Sequence, residues 1–214
     1  MSTVHEPTSQ TVRFGELDIE YDERLLTPRE WTLAQSDWAG ELMPLLPEGP
    51  VVELCSGAGH IGLHAVLASP RRLVCVDDDE VACSYARRNA EAAGLADRVE
   101  VRNAGLEDAL APGERFALVI ADPPWVPTDA VGRFPHDPVP AIDGGADGLH
   151  LVRRCLAVAG AHVLPGGSVL LQVGPGQDDT VGRESVGHGL ALLEVRRAGS
   201  QGSLMWFQPL EGEA

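Results

Sequence analysis

Between residues 51 and 173 the chain alternates short apolar runs with longer runs whose apolar residues recur every three or four positions. That rhythm admits few folds. Val51–Leu54, residues 73–76 and 99–101, Phe116–Ala121 and residues 168–173 have strand length; residues 61–68, 81–93 and 149–163 read as helices. A strand followed by a helical crossover returns right-handed to a parallel neighbour, so the pattern predicts a sheet covered on both faces. The end differs. Residues 190–195 and 204–207 are joined only by Ala198-Gly199-Ser200-Gln201-Gly202, too short for a crossover, so an antiparallel hairpin closes the sheet. The expected fold is therefore α/β, a Rossmann-like, seven-stranded, mostly parallel sheet with that hairpin at its edge. Hydrophobic residues make up 44% of the chain, enough for such a core without staples.

Ahead of this domain, residues 12–21 read as a hairpin turning at Gly15-Glu16, and after Thr27-Pro28 a helical stretch runs to about Leu46. The division expected is a disordered tail at 1–10, a hairpin and helix at 11–48, and one core domain at 49–214. No apolar run approaches the ~20 residues of a membrane span, and the first ten residues lack a signal-peptide pattern. A soluble, cytoplasmic protein is expected.

Gly57-Ala58-Gly59-His60-Ile61-Gly62 follows the first core strand and opens a helix. Glycines there let the chain turn tightly and bring backbone N–H groups up to a ligand. Asp77, 20 residues after Gly57, ends the next strand, where a carboxylate can hold the hydroxyls of a ribose. These features alone allow a nicotinamide nucleotide. Glu53, where the first strand ends, shifts the balance. A carboxylate repels a pyrophosphate but suits a cation, and S-adenosylmethionine carries an ammonium and a sulfonium.

Asp122-Pro123-Pro124-Trp125 follows Phe116–Ala121 at the carboxyl edge of the sheet, where α/β proteins bind ligands. The prolines fix the backbone and donate no hydrogen bonds. The Asp122 side chain and a rigid carbonyl can accept both hydrogens of a planar amino group, with Trp125 stacked on its face. Held so, the nitrogen is aimed at a methyl donor, and the positive charge that develops on it is stabilised.

With both motifs in order, the chain resembles the class I, seven-stranded methyltransferases, and within them the release-factor glutamine N5-methyltransferase family. Three more segments carry the likeness: Leu26-Thr27-Pro28-Arg29-Glu30-Trp31-Thr32, resembling the family's Pro-Arg-x-x-Thr segment; Gly144-Gly145-Ala146-Asp147-Gly148, resembling its Gly-Gly-x-Asp-Gly loop; and the hairpin of residues 13–21. The resemblance implies S-adenosylmethionine as methyl donor, leaving as S-adenosylhomocysteine. Glu53, Ser56, Gly57, Ala58 and Gly59 would meet its methionine part, Asp77 and Asp78 its ribose, and Thr27, Pro28, Arg29 and Thr32 would border it. Asp122, Pro123, Pro124 and Trp125 would hold the acceptor nitrogen, of a protein glutamine or a small molecule. With about 45 residues ahead of the core, the layout is similar to compact members that work with a small activating subunit. Asp122 stands where the family usually has Asn, which unlike ionised Asp can donate to a glutamine carbonyl. Gly105 stands where many relatives carry an acid near adenine, a place Glu107 or Asp108 could fill.

The net charge of −16, from 32 acidic and 16 basic residues, argues against a nucleic-acid acceptor, since affinity for phosphates comes from cations. A base-amine methyltransferase, a nicotinamide oxidoreductase and a non-catalytic binding subunit of the same fold stay open as alternatives. Cys55, Cys75, Cys83 and Cys155 form no C-x-x-C pair and read as free thiols. His60 and His64 lie one helical turn apart without a third ligand, so no metal site is expected. His136 and Asp137, in the proline-rich loop 127–140, are candidates for substrate contact or for a lid.

Overall fold

A computed structural model of the protein describes residues 8–210. Seven strands form one sheet: β3 (Val51–Leu54), β4 (Leu73–Asp77), β5 (Val99–Asn103), β6 (Phe116–Ala121), β7 (Val163–Val173), β8 (Leu190–Arg197) and β9 (Ser203–Pro209). Their order is β5-β4-β3-β6-β7-β9-β8, with β9 antiparallel to both neighbours and all other pairings parallel. The topology reverses between β3 and β6, so the loops leaving their carboxyl ends diverge and open a cleft there.

Among the described residues, helices α1 (Leu33–Leu42), α2 (His60–Val66), α3 (Glu80–Ala92), α5 (His150–His162) and α6 (Asp178–Glu184) cover the sheet, and the short α4 (Val139–Ile142) lies in the loop before α5. Alternation along each strand decides which layer a side chain joins. Val51, Leu118, Ile120 and Leu170 face Trp38 of α1, Leu63 of α2 and Tyr85 of α3. Val52, Leu54, Val119, Ala121 and Leu171 face Val152 and Leu156 of α5 and Val181 of α6.

Strands β1 (Gln10–Phe14) and β2 (Leu17–Tyr21) make the separate hairpin. Asn89 of α3 fastens it: its Nδ2 donates to the carbonyls of Glu20 (3.0 Å) and Ala58 (2.9 Å), and its Oδ1 accepts the Glu20 N–H (2.8 Å). One amide thus ties the hairpin to the glycine loop.

Three boundaries differ from expectation. Gln10 already belongs to β1; residues 1–7 of the expected tail lie outside the described residues. Strand β7 begins at Val163, before Pro165-Gly166-Gly167, because those residues form a bulge between the Phe116–Val163 and Leu118–Ser168 pairs instead of ending the element. Helix α6, seven residues with only Asp178 and Val181 buried, has too weak an apolar stripe to be read from sequence.

Candidate functional site

The carboxyl ends of β3, β4, β6 and β7 open into a cavity of about 700 Å³, within the range that takes a nucleoside-sized ligand. Its walls are the loop after β3, the end of β4, Asp122-Pro123-Pro124-Trp125, the segment 24–32 and the loop 133–142.

The loop after β3 is bent by left-handed backbone at Cys55 (φ 56°), Gly57 (φ 52°) and Gly59 (φ 78°). Gly57 faces open space, so the ligand-side backbone is bare there. Gly59 caps α2 and is buried against α3; a Cβ would meet Ala86 at 3.2 Å. Asp77 braces the turn, accepting the Gly57 N–H at 2.8 Å and the Asp79 N–H at 3.0 Å, and burial still pushes its pKa above the ordinary carboxylate value. Each oxygen keeps a lone pair for a ligand hydroxyl. The Ser56 hydroxyl is buried at the cavity without a partner among the described residues. Asp78 lines the cavity and is exposed; Asp79 caps α3 through the Val81 N–H.

Glu53 lies elsewhere than expected. It shares the β3 face with Val51, so its carboxyl points beneath the loop toward α2, where the Gly62 N–H and the Cys75 thiol (3.7 Å) donate to it. It does not line the cavity. Full burial, with Asp122 and Asp77 adding repulsion, pushes its pKa up to about 8, so it is largely protonated at neutral pH. In this structure its side chain meets the loop's own helix instead of the cavity. Gly59 and Pro28 also lie off the cavity, whereas Thr27, Arg29, Thr32 and Ala58 line it.

Asp122 lines the cavity, and burial raises its pKa to about 7. The glycine-rich loop before α5 sets the rest of its tetrapeptide. A Cβ on Gly144 would stand 2.8 Å from the Pro124 carbonyl, and one on Gly148 (φ 73°) 2.3 Å from the Trp125 carbonyl. Gln177 donates to that Trp125 carbonyl at 3.0 Å, and the indole rests on Gly174, whose Cβ would meet the ring at 2.5 Å. The Pro123 carbonyl accepts no hydrogen bond from another described residue. Gln35 of α1, fully buried, donates its amide to the carbonyls of Ala121 (3.0 Å) and Leu170 (3.1 Å), bracing the ends of β6 and β7.

Arg29 reaches across the opening and pairs with both oxygens of Asp137 at 2.7 Å, joining segment 24–32 to the proline-rich loop. His136 lines the same wall. Glu107 pairs with Arg154 and lies off the cavity, as does Asp108; Ala104 and Leu106 line it instead. His60 and His64 stack edge-on against Phe14, and burial lowers the His60 pKa to about 4. Among the described residues there is no cluster of three metal-ligating groups, and no helix is long and apolar enough to cross a membrane.

Sequence reasoning overlooked Cys55 and Gln172. Both line the cavity.

The family model described as methyltransferase small domain matches residues 38–133. A release factor glutamine methyltransferase of Gloeobacter violaceus is 32% identical over 177 residues, covering 80% of this chain and 62% of the relative. A ribosomal protein uL3 glutamine methyltransferase of Bordetella pertussis is 36% identical over 132 residues, 59% of this chain and 44% of that protein. The chain thus spans less than two thirds of these relatives. A solved methyltransferase from Pyrococcus furiosus superposes with a TM-score of 0.65 at 20% identity, covering 90% of this chain and 89% of the other, which establishes the fold.

Proposed function

We propose that the chain is a class I methyltransferase related to the glutamine methyltransferases, and that it transfers a methyl group from S-adenosylmethionine to the side-chain nitrogen of a protein glutamine. The observation that carries this reading is one cavity holding both halves of the reaction: a bare glycine turn with Asp77 on one side and Asp122-Pro123-Pro124-Trp125 on the other.

The residues present fit the donor. Ser56 offers a buried hydroxyl that needs a partner, Gly57 an open backbone, and Asp77 lone pairs for a diol. When bound, the donor supplies an electrophilic methyl on a cationic sulfur. The remaining work belongs to this chain. A carboxamide nitrogen is a poor nucleophile, so it must be held with its lone pair aimed at that methyl. Asp122 and the free Pro123 carbonyl are the acceptors for its two N–H bonds, and the negative charge of Asp122 stabilises the cation forming on nitrogen. Trp125, seated on Gly174, would flank the amide plane. The bridge from Arg29 to Asp137 would close the cavity over the donor and keep water out.

A cytoplasmic setting fits acceptors of the kind named for the relatives, a release factor and a ribosomal protein. The test pairs calorimetry with turnover. S-adenosylmethionine should bind the wild type and bind Asp77→Ala at least tenfold more weakly, and labelled donor should mark a glutamine in purified release factor or uL3. Label entering RNA, or equal donor binding by Asp77→Ala, would overturn the reading. Repeating the assay with cell extract added tests for a small activating subunit.

A further inference from the structure

Gln172 is 1% exposed, lines the cavity, and finds no hydrogen-bond partner among the described residues for either Oε1 or Nε2. A carboxamide with both ends unsatisfied is costly to bury, and a strand interior offers many apolar alternatives. Its neighbours Leu170, Leu171 and Val173 are all apolar, so the residue interrupts a run that would otherwise be continuous.

Its position is set by the sheet. β6 and β7 run parallel with Ile120 opposite Leu170 and Ala121 opposite Leu171. Extending that register by one residue brings Asp122 beside Gln172. Alternation puts both on the face that Ile120 and Leu170 share, toward α1. The two side chains therefore stand on adjacent strand ends, about one inter-strand spacing (~4.8 Å) apart at the backbone, and both line the cavity.

Resting on the methyl-transfer reading above, we propose that Gln172 is the specificity-determining residue of the acceptor site. It donates from Nε2 to the carbonyl oxygen of a primary carboxamide whose N–H bonds are held by Asp122 and Pro123. An ionised carboxylate at position 122 can only accept, and a carboxamide substrate also presents an acceptor that needs a donor. Gln172 supplies that donor, so Asp122 and Gln172 together read both ends of the primary amide. A carboxylate side chain, lacking the N–H bonds and repelled by Asp122, is rejected.

Three measurements test this. With purified release factor as acceptor and saturating donor, Gln172→Leu should lose roughly 10- to 100-fold in kcat/KM, the worth of one buried donor. Donor affinity by calorimetry should stay within about twofold. The same variant should melt at a higher temperature than wild type, because it removes an unsatisfied buried amide; a merely structural glutamine would not raise stability while lowering activity. Gln172→Glu, which leaves two carboxylates and no donor, should lose about 100-fold or more.

The binding arm needs no turnover. In NMR titrations of the donor-product complex, the Gln172 side-chain amide should shift with N-acetylglutamine methylamide and not with the matching glutamate compound. Unchanged kcat/KM in Gln172→Leu, or no shift with the carboxamide, would overturn the proposal. Failure of the wild type to bind donor would instead overturn the parent reading.

Discussion

Replacing Glu53 by Gln should stabilise the protein in a pH-dependent way. Glu53 is buried beneath the loop after β3, with the Gly62 N–H and Cys75 thiol as its partners, and its pKa is raised from 4.5 to about 8. A carboxyl whose folded pKa lies above its unfolded value holds a proton in the native state that the unfolded chain has released. The stability it contributes is fully present below pH 4.5 and is lost as pH rises toward about 8. At about 1.4 kcal/mol per pH unit, the loss reaches roughly 3 kcal/mol at pH 7 and roughly 5 kcal/mol at its limit.

Gln172→Leu acts on an uncharged group, so only Glu53→Gln should change the slope with pH. Gln at position 53 keeps an oxygen for the Gly62 N–H and has nothing to ionise. For a chain of this size each kcal/mol moves the melting temperature by about 2–4 °C. Differential scanning calorimetry should therefore find wild type and Glu53→Gln melting close together at pH 5. By pH 8.5 the wild type should lie on the order of 10 °C lower. Parallel curves across that range would refute the assignment of Glu53 as a buried neutral acid. Asp77 and Asp122 also titrate upward in both proteins, and their repulsion of Glu53 is a minor part of its shift beside burial.

Gly148→Ala places a Cβ 2.3 Å from the Trp125 carbonyl at a φ of 73°, so it should shift the acceptor loop and lower kcat at least tenfold while donor affinity, by calorimetry, stays within about twofold. With its pKa raised to about 7 by burial, Asp122 should give a kcat/KM that rises with pH through an inflection near 7, since the ionised form is the better acceptor; Asp122→Asn should abolish that inflection in the pH–rate profile. Cys55 holds a φ of 56°. Cys55→Gly should leave stability to urea within about 1 kcal/mol, because relief of the left-handed conformation offsets added chain entropy, whereas Cys55→Val should lose about 2 kcal/mol.

The fold was legible because the central strands, β6 above all, are buried on both faces and show as apolar runs, and because Gly-rich turns punctuate those runs. The site was legible where chemistry needs unusual backbone: two adjacent prolines, and glycines at φ above zero. Glu53 was read at its strand end, and the structure turns its side chain beneath the loop and away from the cavity. Which face residue 53 takes follows from Val51 pairing with the α2 layer, a fact of tertiary register that a four-residue strand does not reveal by itself. Gln172 escaped because a polar residue inside a strand reads as solvent-facing; only the neighbouring Asp122 and the cavity distinguish it from a surface position. The bridge from Arg29 to Asp137 spans 108 residues, and no local pattern encodes it.

Moving Glu53 off the cavity changes the reason a cation is preferred without reversing the preference. Asp77, Asp78, Asp79 and Asp122 all line the cavity. Of the arginines that line it, Arg24 is paired with the buried Asp22, Arg29 with Asp137 and Arg154 with Glu107, while Arg133 sits on the outer loop. The inner wall thus carries acids whose nearest cations are already engaged. Burial lifts the carboxyls of Asp77 and Asp122, with repulsion from Asp78 and Asp79 adding at Asp77, and no counterion offsets either rise. A pyrophosphate entering that wall would meet the same repulsion with two more charges. A ligand with an ammonium and a sulfonium relieves it, so the choice of donor follows from the distribution of paired and unpaired charge around the cavity and not from any single acid beneath the loop.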